Sequence, residues 1–170
     1  MTTPSSPAPT SAPIPSITGT ATVGVPIETA FTVFTGSFDS WWPHQFHIGQ
    51  AEVDQVVLET HEGGRWYERG VDGSECDWGR VLVWDPPQRV VFTWQINGSW
   101  QFDPDPAHAS EIDVRFVADG PEQTTVEVEH RAFERLVGGQ DVRDTITGGG
   151  GWALLLDGFA TAVAESQRQR

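Results

Sequence analysis

Gly151-Trp152-Ala153-Leu154-Leu155-Leu156-Asp157-Gly158-Phe159-Ala160-Thr161-Ala162-Val163 is the stretch whose reading decides the fold. Trp152, Leu155, Leu156, Phe159 and Val163 recur at spacings of three and four, which makes one apolar face of a helix. The pattern extends over roughly 18 residues, about 27 Å of helix. No other helical segment is long enough to cross a sheet, so whatever precedes it must supply a face for it to cover.

What precedes it is a run of strands. Working back from the helix, Val126, Val128 and His130 alternate with Thr125, Glu127 and Glu129, and Ile112, Val114 and Phe116 alternate with Asp113 and Arg115. One dry and one wet face suit an antiparallel sheet covered on one side. Asp77–Trp84 and Arg89–Ile96 flank Asp85-Pro86-Pro87-Gln88, and Val56–Thr60 and Arg65–Val71 flank the hairpin loop His61-Glu62-Gly63-Gly64. The prolines and the Asn97–Ala109 segment read as connections. A polar loop and Gly148–Gly151 lead into the last helix. Further upstream, Ile17, Ala21, Val23 and Val25 alternate as a strand. Ile27, Ala30, Phe31 and Phe34 then make a short helix behind Pro26, and Phe38, Trp41 and Trp42 a second one ending at Pro43. Residues 1–15, with five prolines and almost nothing to bury, read as a disordered tail. The expected organisation is this tail followed by one domain over 16–170.

Bulk composition narrows the partners. A net charge of −14, with ten arginines and no lysine, repels phosphate backbones, so nucleic acid is not expected as a partner. No stretch is long and apolar enough for membrane insertion. The N-terminus has neither a cationic start nor an apolar run, and the expected location is cytoplasmic. Cys76 is the single cysteine, which excludes an internal disulfide and a thiolate zinc site. Eight tryptophans and nine phenylalanines supply rings for a core or an apolar pocket.

The order strand, two short helices, six strands, long helix resembles the helix-grip fold of the START-related SRPBCC superfamily. Within it, Gly63-Gly64-Arg65-Trp66-Tyr67-Glu68, Gly79-Arg80-Val81-Leu82-Val83-Trp84-Asp85-Pro86-Pro87, Val91-Phe92-Thr93-Trp94, Glu129-His130-Arg131-Ala132-Phe133-Glu134 and Gly151-Trp152 resemble the family named after the activator of the Hsp90 ATPase. The likeness runs from about Ile17 to Glu165. It implies an α+β fold, a curved antiparallel sheet wrapped around the C-terminal helix, with a cavity between them.

The resemblance and the strand alternation together nominate the cavity lining. Phe92 and Trp94, Phe116, and Val128 and His130 share the inward face, and Trp152 and Leu156 meet them from the helix. Trp66 with Glu68, and Trp84 with Leu82, are the favoured inward sets of their strands, although Val81–Trp84 is apolar on both faces. Packing alone could also account for all these rings. His130, pointing inward, either binds a ligand oxygen or acts as acid or base, or is satisfied by a carbonyl or Glu68. Arg80 and Glu68 are candidates for an ion pair. His44 and His47 are three apart, but Pro43 has just ended a helix and no third ligand is nearby, so no metal is expected. No phosphate loop or dinucleotide fingerprint is present, and no cofactor is expected.

Three functions compete on this reading. The leading one is non-catalytic binding of a small apolar molecule, lipid-like or aromatic. The second is a cyclase- or aromatase-type enzyme using the same cavity, with His130 as acid or base. The third is a co-chaperone-like domain with a chaperone partner, which requires a filled core and an apolar surface patch. Pairing of an edge strand with a second copy would make a homodimer.

Overall fold

The computed structural model describes residues 12–168. Most of the expected tail, residues 1–11, therefore lies outside the described residues. Its end does not: Ile14 packs against the core, and the Pro15 carbonyl accepts a 2.6 Å hydrogen bond from Arg143 Nε.

Seven antiparallel strands form the sheet: β1 (Ile17–Val23), β2 (Val53–Leu58), β3 (Arg65–Gly70), β4 (Glu75–Asp85), β5 (Arg89–Trp94), β6 (Ser110–Gly120) and β7 (Gln123–Arg131). Their order is β1-β7-β6-β5-β4-β3-β2, so the first strand crosses over to pair with the last. Helix α1 (Ile27–Gly36) follows β1, and a short 3₁₀ turn at Phe38–Ser40 follows α1. Helices α2 (Gly139–Gly148) and α3 (Gly151–Arg168) close the chain. This is the helix-grip α+β arrangement, with α3 buried along Trp152, Leu155, Leu156, Phe159, Ala162 and Val163.

Register fixes which side chains face α3. Ile112, Val114 and Phe116 lie opposite His130, Val128 and Val126, and Phe92 lies opposite Ile112. All seven are buried, so alternation carried the central strands correctly. Phe31 and Phe34 of α1 meet Phe116 edge-on at 5.1 and 5.6 Å, and Phe34 reaches Phe159 of α3 at 5.4 Å. Helix α3 approaches β1 so closely that Gly19 is required: a Cβ there would lie 3.0 Å from Trp152 Cβ and 3.1 Å from Leu156 Cδ1.

On the sheet's other face, Asp113 is 2 % exposed and accepts from Arg89 and Arg131 at 2.8 and 2.7 Å. Burial alone would raise its pKa, but the two guanidinium hydrogen bonds outweigh it and hold the carboxyl down at about 2.

Three expectations are corrected here, the first being the second helix expected through Phe38, Trp41 and Trp42, which is only a 3₁₀ turn over Phe38–Ser40. β4 carries two bulges, with Trp78 and Leu82 as the extra residues, since its register jumps between Asp77 and Gly79 and again between Val81 and Val83. Each bulge inverts the alternation. Leu82, favoured as inward, is therefore 41 % exposed, while Val81 and Trp78 are buried. The polar segment before Gly148, read as a loop, is helix α2. Only Gly139 and Val142 of α2 are buried, so it shows almost no apolar periodicity.

Candidate functional site: a tryptophan cavity at the end of the grip

A cavity of about 280 Å³ opens where the sheet, α2 and α3 converge. It sits near the low end of the roughly 300–1,000 Å³ usual for small-molecule sites. Its walls come from four places. Trp78 and Trp94 project from β4 and β5. Trp152 and Leu155 face them from the start of α3, and Thr145 and Ile146 come from the end of α2. The connection after the 3₁₀ turn contributes Trp42, Gln45, Phe46, His47 and Ile48. The connection after β5 adds Ile96 and Trp100. Five of the eight tryptophans thus surround one space.

Local backbone chemistry holds these rings. The side chain of Asn97 accepts from the N–H groups of Ser99 and Gln101, and the Trp100 N–H donates to the Asn97 carbonyl, closing a tight turn. Trp100 adopts φ +58°, which an L-residue seldom takes, and its ring stands 40 % exposed beside the cavity. Trp42 Nε1 donates to the Phe46 carbonyl at 3.0 Å, tying the ends of its loop together. Trp94 Nε1 donates to the Ile96 carbonyl at 3.0 Å.

The nominated residues divide into four groups. Trp94 and Trp152 line the cavity. Trp66, Phe92, Phe116, Val128 and Leu156 are buried in the core. Trp66 forms a second layer, its ring 5.7, 5.1 and 5.9 Å from those of Trp42, Trp78 and Trp94. Trp84 is only partly buried and packs edge-on against Phe31 of α1 at 5.0 Å. It lies six residues along β4 from Trp78, ~20 Å at strand spacing. The core reading thus holds for most of the aromatic stripe, while the space lies at its end.

His130 and Glu68 stand directly behind the walls. His130 is fully buried. Trp152 Nε1 donates to its Nδ1 at 3.4 Å, and its Nε2 lies 2.9 Å from Ser110 Oγ. Ser110 Oγ in turn donates to the Trp94 carbonyl at 3.0 Å. This chain assigns the proton to Nε2, which donates to Ser110. Desolvation pushes the imidazole pKa down to about 3, so His130 is neutral at ordinary pH and joins two cavity walls without reaching the space. Of the alternatives open for it, His130 takes that of a satisfied buried histidine, with Ser110 and Trp152 as partners in place of a carbonyl or Glu68. The Glu68–Arg80 pair does not form; Arg80 bonds Asp77 at 3.2 Å.

Glu68 is 2 % exposed, and three N–H donors converge on its Oε1: Ile48 N at 2.7 Å, Gly49 N at 3.0 Å and Trp78 Nε1 at 3.0 Å. Its Oε2 faces His47 Nδ1 at 3.6 Å. Gly49 permits this approach, since a Cβ there would sit 2.9 Å from Oε2. His44 turns away to Asp39 at 2.7 Å. Among the described residues no cluster of three metal-ligating side chains occurs.

Sequence reasoning missed Trp42, His47, Trp78, Trp100 and Ile146 as lining. All five lie in connections, at a bulge or on a weakly patterned helix, where periodicity carries no inward signal. The one available clue was the number of tryptophans outside regular strands.

A curved sheet gripping a C-terminal helix, with an apolar cavity at the helix start, defines a START-related SRPBCC domain. The sequence matches the Activator of Hsp90 ATPase homolog 1-like protein family over residues 24–164, and the chain belongs to that family. Txn09, described as an anthrahydroquino-γ-pyrone synthase and solved as a complex, is similar at 36 % identity and TM-score 0.63, over 88 % of this chain and 97 % of its own. CalC, a self-sacrificing resistance protein from Micromonospora echinospora, is similar at 34 % identity and TM-score 0.64, over 89 % and 96 %. CalU16 from the same organism shares the fold at 20 % identity and TM-score 0.53, over 85 % of this chain and 71 % of its own. No curated protein matches the chain. No helix among the described residues is long and apolar enough to cross a membrane.

Proposed function

We propose that this protein binds a flat, polycyclic aromatic molecule in the tryptophan cavity. The observation that carries the reading is the set of five indoles around one space of about 280 Å³. Offset or edge-on contacts with a planar ligand are worth about 0.5–1.5 kcal/mol each beyond the burial of apolar area. Several together support micromolar binding after ordering costs. A void of this kind also favours a ligand over the filled core that a purely co-chaperone-like role requires.

A second reading, catalysis of ring formation in such a molecule, draws on the 36 % identity to the synthase Txn09 across nearly its whole length. Both readings need the same cavity, and they separate on whether a bound precursor turns over.

Tryptophan emission tests the common ground. Titration with 2-hydroxyanthraquinone is expected to quench the emission saturably, with Kd in the micromolar range. Ile146→Trp, on the partly buried face of α2, fills the cavity without entering the grip and is expected to weaken binding at least ~10-fold. Unsaturable quenching, or equal affinity in the filled variant, would sink the proposal.

A further inference from the structure

We propose that His47, backed by the buried carboxylate of Glu68, is the proton acceptor of the tryptophan cavity, and that its ligand carries an acidic hydroxyl, a phenol or enol, on the aromatic framework. The proposal rests on the cavity being the binding site and adds the group that reads the ligand's polar edge.

His47 is the one titratable side chain lining the cavity among the described residues. Its Nδ1 faces Glu68 Oε2 at 3.6 Å, which leaves Nε2 as the ring nitrogen without a protein partner. A closure of about half an ångström makes a hydrogen bond of that approach, as often happens when a ligand tightens an empty site. Glu68 is unlike any other glutamate here in being 2 % exposed. Burying a carboxylate costs several kcal/mol unless its oxygens are compensated. Oε1 is compensated by the N–H groups of Ile48, Gly49 and Trp78. Oε2 is left aimed at the imidazole.

The segment is built for this arrangement. Ile48 and Gly49 directly follow His47, so the backbone that holds Oε1 also fixes the histidine's root. Trp78, the third donor, is itself a cavity wall, which ties the carboxylate to the space it serves.

The step balances simply. The ligand O–H gives its proton to His47 Nε2, Nδ1–H donates to Glu68 Oε2, and an oxyanion lies beside an imidazolium paired with a carboxylate. The ligand's oxygen–hydrogen bond breaks and a nitrogen–hydrogen bond forms, with no oxidant or further reactant. For a ring-forming reaction the oxyanion is the nucleophile; for binding alone it adds a charge-assisted contact.

The test uses the whole chain with 2-hydroxyanthraquinone and, as a control without an ionisable proton, 2-methoxyanthraquinone. Absorbance against pH reads ionisation, and tryptophan quenching reads binding in the same samples. The bound hydroxyl is expected to ionise at least ~1 pH unit below the free probe. His47→Gln loses that displacement and, at a pH where the free hydroxyl is ionised, weakens the hydroxy probe about tenfold relative to the methoxy control. Glu68→Gln, which retains an acceptor for the three N–H donors, loses most of it. An undiminished displacement in His47→Gln would overturn the proposal.

A second arm needs no ligand. At pH 8, carbethoxylation of His47 by diethyl pyrocarbonate, read by mass spectrometry, is expected to slow at least ~3-fold in Glu68→Gln because the carboxylate makes Nε2 more nucleophilic. Equal rates in variants with unchanged circular dichroism would disprove the pair. If neither anthraquinone quenches the wild type, the aromatic-ligand reading fails and this arm alone decides the His47–Glu68 pair.

Discussion

His130 shows how one residue can be visible in sequence while its task is not. Alternation along β7 correctly turned it inward, but its partners, Ser110 and Trp152, come from another strand and from α3. Nothing in a linear pattern names them. Its burial has a thermodynamic consequence with a definite sign. The folded-state pKa, near 3, lies below the ordinary 6.5, so between those values the unfolded chain binds a proton that the folded chain refuses. Stability contributed by the neutral ring is complete above pH 6.5 and declines below it, by about 1.4 kcal/mol per pH unit for one proton. Urea midpoints at pH 7.5 and 5.0 should therefore differ less in His130→Gln than in the wild type. An identical pH dependence in both would show that the imidazole charges without opening the fold.

At the scale of elements, the junction of β1 with α3 links stability to the cavity. Gly19→Val would push Trp152 and Leu156 outward, because even a single Cβ meets them at 3.0–3.1 Å. Overpacking of this kind costs about 1–3 kcal/mol. For a chain of this size that is roughly 3–10 °C in Tm. Calorimetry should find that loss together with weaker anthraquinone quenching, since Trp152 is a wall of the cavity. A stable variant with full affinity would mean that α3 can retreat freely. Elements whose environment is uniform were legible from sequence: β6, β7 and α3 each repeat one period over a continuous buried face, and β5 is an unbroken buried run. β4 was not, because two bulges reset its alternation. α2 escaped notice because Val142 and Ile146 are its only large apolar residues, a four-residue spacing too brief to stand out. The cavity inherits these difficulties. Trp94 and Trp152, on regular elements, were recognised, whereas Trp42 and Trp100 depend on turns whose geometry is set by hydrogen bonds such as those to Asn97.

Over the whole molecule, a charge of −14 against ten cations makes self-repulsion a standing term in stability. Screening shortens its reach from about 30 Å at 10 mM salt to about 8 Å at 150 mM. Tm is expected to rise as sodium chloride is added across that range. A fall would mean that ion pairs such as Asp113 with Arg89 and Arg131 outweigh the repulsion. The position of the cavity matters in a different way. Much of its wall belongs to the 42–48 connection, the 96–100 turn and the end of α2, of which Trp42 and Ile96 also pack into the core shared by the sheet and α3. Recognition thus draws on three short segments outside the sheet as well as on the walls that β4, β5 and α3 supply. Exchanging those three segments between homologues should transplant a ligand preference onto an unchanged scaffold, the modularity from which a lineage can diversify its chemistry without inventing a new protein each time.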